Sequence, residues 1–266
     1  MVATLPDLIA RYGVVHDYRG PRIRLGVLWF AGIMASMLGG VVAVAALFSV
    51  TAALAAMQVA TRWAVRRVPI SPVVAGAVAG MSGLGALIGT RVAGLVLILG
   101  AAAALLLDRN GRPRALPAGP DELRERLPMA GATLRASLGP ALVAVSVVEV
   151  HRIDSMAFLF LAAVVSVYDA GDYLIGAGYD QRLAGPLAGV AAGTALTAAM
   201  SVIDPPPLEG AEVWVVGLVV SLLAVLGPFV GTWTLPTARA SAPALRRLDS
   251  WLLAAPLFLV VLWILT

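Results

Sequence analysis

From Leu25 to Thr61 the chain runs for 37 residues without a charged side chain. As one helix at 1.5 Å per residue this run would reach about 55 Å, against a bilayer hydrocarbon core of about 30 Å. In lipid every backbone N–H and C=O needs an internal partner, so the run must be two helices. Gly39-Gly40 is the natural place to turn. The same reading gives further apolar stretches near 72–90, 92–107, 131–150, 155–179, 184–203, 213–235 and 250–266. The fold class that follows is all-α, a polytopic transmembrane helix bundle of about nine spans. Composition agrees: 60% of residues are hydrophobic and 13% charged, with mean hydropathy +0.92, where soluble domains carry about 25% charge.

Arginine placement sets the orientation, because short cytoplasmic loops are enriched in basic residues. All 19 basic residues are Arg, and with the N-terminus cytoplasmic, sixteen of them fall on the cytoplasmic side. Arg91 and Arg152 fall outside, and Arg135 lies within a span. Residues 204–212, DPPPLEGAE, contain no Arg and fall outside as well. Net charge +4 and pI near 10.1 are explained by these loops facing anionic headgroups, so no nucleic-acid partner is implied. There is no Cys, which excludes disulfides and thiol chemistry. The first 24 residues hold seven charged or His side chains and no apolar core, so they do not read as a cleavable signal peptide.

The chain divides into a cytoplasmic or interfacial segment, 1–24, a four-helix membrane part, 25–107, a cytoplasmic loop, 108–128, and a C-terminal membrane part, 129–266. Residues 4–12, TLPDLIARY, read equally as a short interfacial helix or a frayed terminus. The loop reads as polar, ending in a short helical turn.

Asp169 and Asp172 stand inside the stretch 156–180. An aspartate near mid-span costs about 2.5–3.5 kcal/mol on insertion scales, so the pair either faces a polar cavity or cation, or marks a helix that ends near Val167. Gly171, Gly176 and Gly178 are placed to loosen that helix. Gly185, Gly189 and Gly193 make a smooth ridge that reads as close helix packing, as do Gly76/Gly80 and Gly85/Gly89. His151 with Glu149 or Asp154 reads as a solvated group or a metal pair. Leu245-Arg246-Arg247-Leu248-Asp249-Ser250 puts charge directly against the last apolar stretch.

Residues 165–266 resemble the CDP-diacylglycerol synthase (phosphatidate cytidylyltransferase) family. The matching pieces are Asp169-Ala170-Gly171-Asp172-Tyr173, the glycine ridge Leu187–Gly193, and Leu245–Ser250 followed by Ala254-Ala255-Pro256; the patch Gln58–Trp63 is also similar. The resemblance implies transfer of CMP from CTP to phosphatidate at the cytoplasmic face of the inner membrane. It implies catalytic Asp169 and Asp249, Mg²⁺ held by Asp169, Asp172 and Asp249, and substrate phosphates held by Arg182, Arg246, Arg247 and Ser250. The partners implied are phosphatidate and CTP, and a homodimer is left open.

The sequence also departs from the family pattern. Arg246 stands where the family has an acid, Gly227-Pro228 replaces Gly-Asp, and the lysine-rich signature is missing. Three readings follow: an active cytidylyltransferase, a catalytically degenerate relative that binds lipid or a partner protein, and a small transporter that uses Asp169 and Asp172 as a cation relay.

Overall fold

The computed structural model describes residues 22–68, 70–107, 112, 113, 115, 117, 119–176, 183–237 and 240–266. Among these the chain is helical: α1 (Arg22–Leu38), α2 (Gly40–Val65), α3 (Pro72–Gly85), α4 (Thr90–Leu106), α5 (Pro120–Ile153), α6 (Ser155–Gly176), α7 (Ala184–Met200), α8 (Ala211–Thr234), α9 (Pro243–Leu248) and α10 (Trp251–Leu265). A helix occupies each apolar stretch read from the sequence. Five are long and apolar enough to cross a membrane: α2, α5, α6, α8, and α9 with α10 taken together. The apolar parts of α1, α3, α4 and α7 are shorter.

The charge-free run does break where two glycines meet. Helix α1 ends at Leu38 and α2 begins at Gly40, whose φ of +69° is a conformation that suits glycine. Helices α2 and α5 form the centre: α2 packs on α1, α3, α5 and α9, while α5 reaches α3, α4, α6 and α10 as well. The outer layer pairs α6 with α7 and α8 with both α7 and α10.

Two expectations change. Residues 120–128 are not a separate helical turn but the first turns of the 34-residue α5, which continues through Pro128 and Pro140. At about 51 Å this helix outreaches a bilayer core, so its charged first turns extend the bundle beyond the apolar zone. Helix α6 also runs unbroken through Asp169, Gly171 and Asp172 to Gly176. Gly171 does not loosen it; a Cβ there would meet Ala188 O at 2.8 Å and Ala192 Cβ at 2.9 Å, so the residue serves close packing on α7. Gly178 and residues 4–12 lie outside the described residues.

The glycine ridge of α7 packs as read. A Cβ on Gly189 would strike the Tyr168 ring at 2.7 Å, and one on Gly193 would strike Ser221 of α8. Gly76 and Gly80 likewise admit Met57 and Ala53 of α2, whereas Gly89 has nothing within 4 Å and serves a turn at φ +153°. Beneath the α9–α10 junction, Trp29, Phe48 and Trp251 stack edge to face at 5.5 and 5.1 Å, tying α1, α2 and α10 into one core.

Candidate functional site

The last turn of α8 and the segment after it lead into the charged ending of the chain, and other helices hold both by their backbone. Trp63 Nε1 donates to Thr234 O at 2.6 Å, Arg135 Nη2 to Trp233 O at 2.9 Å, and Arg62 Nε to Ser241 O at 2.7 Å. The Arg135 guanidinium lies 5.0 Å from the centre of the Trp63 ring, a cation–π distance. Helix α9 starts at Pro243, and its N-cap, Ala242, has no side-chain acceptor of its own. Gln58 supplies one from α2: its Oε1 accepts from Ala244 N at 2.9 Å. Orphan N–H groups of a first turn need such a partner. Gln58→Ala is expected to cost about 1 kcal/mol and to speed amide exchange across 244–249 several-fold, whereas Gln58→Glu, which keeps the acceptor, holds it near the native rate.

Buried Leu245 and Leu248 pin the inner face of α9, and this sets Arg246 and Arg247 on its outer side. The chain then turns through buried Asp249 and Ser250 into α10. The turn sits in a trough on α8: a Cβ on Gly227 would collide with the Asp249 backbone carbonyl, and one on Gly231 with Asp249 Oδ1.

Here the acids and arginines meet. Ser250 Oγ donates to Asp169 Oδ1 at 2.5 Å, joining α6 to the α9–α10 turn across 81 residues. Arg246 Nη1 donates to Asp249 Oδ2 at 2.7 Å and to Thr232 Oγ1 at 3.0 Å. Asp172, Arg247 and Asp249 are the charged neighbours of Asp169. A Cβ on Gly26 would lie 3.7 Å from Arg247 Nη1, so α1 closes this side of the cluster. Of the residues proposed from sequence, Asp169, Asp172, Arg246, Arg247, Asp249 and Ser250 therefore gather in one place, and Arg182 lies outside the described residues.

The cluster does not fit a preassembled Mg²⁺ site. Among the described residues there is no group of three or more His, Cys, Asp or Glu arranged to hold a metal ion. Asp249 spends Oδ2 on Arg246, its Oδ1 lies against Gly231, and Asp169 Oδ1 is taken by Ser250. Mg²⁺ demands near-octahedral oxygens at about 2.0–2.1 Å and keeps several waters, whereas one oxygen of Asp249 and one of Asp169 are already engaged by protein donors.

The Glu149–Asp154 group is structural. Arg152 Nη1 bridges both Glu149 oxygens at 3.1 Å and Ala86 O at 3.0 Å, and Asp154 Oδ1 accepts from Met156 N and Ala157 N at the start of α6. His151 packs its ring 5.5 Å from that of Phe158.

Sequence reading passed over Thr232, Gly231, Gly26 and the clamping role of Arg135. Gly227 and Gly231 did carry a signal, their four-residue spacing, which marks a smooth helix face but does not name what lies on it. No family model matches the chain, and no curated protein or solved structure matches it either.

Proposed function

We propose that the protein is an integral membrane protein of cytidylyltransferase type, with nine spans, a cytoplasmic N-terminus, and the acid–arginine cluster at the cytoplasmic face of the inner membrane. It binds phosphatidate from the bilayer and CTP from water and transfers CMP between them. The observation that carries this reading is the Ser250–Asp169 hydrogen bond, which joins two of the stretches on which the resemblance rests.

In the reaction a phosphate oxygen of phosphatidate bonds to the α-phosphorus of CTP. The bond from that phosphorus to the bridging oxygen breaks, and its electron pair leaves with pyrophosphate. Two anions must approach one another, so fixed cationic donors aimed at the developing charge supply the main help. Arg246 and Arg247 fill that role, with Arg182 as a third. Asp249 orients Arg246, and Asp169 orients Ser250.

The Arg246–Asp249 pair favours a second reading, that of a relative which binds the lipid phosphate without transferring CMP, because it commits to an arginine the carboxylate that the family would use for metal. Purified protein in nanodiscs, given labelled CTP, phosphatidate and Mg²⁺, separates the two. CDP-diacylglycerol formation, reduced at least 100-fold by Arg247→Ala, is the result expected for the enzyme. Phosphatidate binding without product selects the binder, and loss of both binding and product removes both readings.

A further inference from the structure

Arg246 is anchored by a single nitrogen. Nη1 directs both of its hydrogens inward, to Asp249 Oδ2 and Thr232 Oγ1. Its Nε–H and Nη2 hydrogens make no bond among the described residues, and the side chain is 22% exposed, above an Asp249 side chain only 5% exposed. Nη1 lies on the far side of the guanidinium from the Nε–H. The hydrogens left over therefore include the parallel Nε–H/Nη2–H pair, the fork that matches two oxygens of a phosphate. Long side chains lose rotamer freedom when they bind, and this one has already lost it to the pair below.

The same pair supplies the positive charge. A cation that coordinated Asp249 would have to share Oδ2 with the guanidinium, or reach Oδ1, which already lies in the Gly231 trough on a side chain only 5% exposed. We infer that Arg246 is the phosphate-binding group of this site, and that it holds a phosphate monoester or polyphosphate oxyanion without a divalent cation. The inference rests on the reading that the cluster is the ligand site, and it is independent of whether CMP is transferred. The oxyanion belongs to a lipid headgroup or to a nucleotide, since both present the same terminal oxygens.

The test uses the full chain in phosphatidylcholine nanodiscs, with phosphatidate incorporated in the lipid, or with CTP or inorganic phosphate added in solution. Each arm is measured by equilibrium binding and thermal shift, in EDTA and in Mg²⁺. At least one ligand is expected to bind with a Kd that differs less than twofold between EDTA and Mg²⁺. Phosphatidate alone identifies the lipid source, and CTP or inorganic phosphate the soluble one. Arg246→Lys keeps the charge over Asp249 but loses the fork, and is expected to weaken binding at least tenfold.

Binding that requires Mg²⁺ overturns the inference, as does an Arg246→Lys variant that binds like wild type, or failure of all three ligands to bind. The wild-type comparison of EDTA with Mg²⁺ decides the matter even if the variant does not fold. Metal-free binding with no CDP-diacylglycerol counts against CMP transfer alone. Mg²⁺-dependent binding with product formed counts against this inference alone.

Discussion

Arg246→Leu will destabilise the bundle by about 3–5 kcal/mol, because it leaves the Asp249 carboxylate buried without its cation. Such a loss is the cost of stranding a charge, not the net worth of the ion pair, and the two are separable. The double variant Arg246→Leu/Asp249→Asn removes both charges together and is expected to recover most of the stability, a coupling that a double-mutant cycle reads directly. Thermal or denaturant unfolding in detergent micelles supplies the four values. A single variant as stable as wild type would show that the carboxylate is not sealed in as the structure has it.

Gly227→Ala is expected to be nearly as damaging, for a different reason. The new methyl falls on the Asp249 carbonyl and 3.1 Å from Ser250 Cα. Both are backbone or next to it, so no rotamer change relieves the clash and α10 must shift away from α8. Overpacking of this kind costs about 1–3 kcal/mol or more, and here it also pulls Ser250 from Asp169. Gly94→Ala is the matched control: a Cβ there meets nothing within 4 Å, and alanine in a helix gains about 1 kcal/mol over glycine. Unfolding midpoints that move in opposite directions for the two variants would bear out the trough. Equal midpoints would count against it.

The helices were legible in the sequence because lipid imposes a simple rule: stretches without charge must be helical, and their lengths are set by the bilayer. The break at Gly39-Gly40 followed from length alone. The convergence of Asp169 with Asp249 and Ser250 was also within reach, since charges inside apolar stretches need partners and few were on offer. The continuity of α5 was not legible, because Pro128 reads as a stop, yet the helix continues through it. The bonds from Trp63, Arg62 and Arg135 were invisible for another reason. Each ends on a main-chain oxygen, and every residue has one, so nothing in the letters marks the acceptor.

That choice of acceptor has a consequence for how the segment tolerates change. What is gripped at Trp233, Thr234 and Ser241 is peptide oxygen, which survives almost any exchange of side chain there. A library randomised at exposed Trp233 and Ser241 should therefore yield mostly well-folded protein, while one randomised at Arg62, Trp63 and Arg135 should not. The burden of keeping the ending of the chain in place falls on residues encoded about a hundred or more positions earlier.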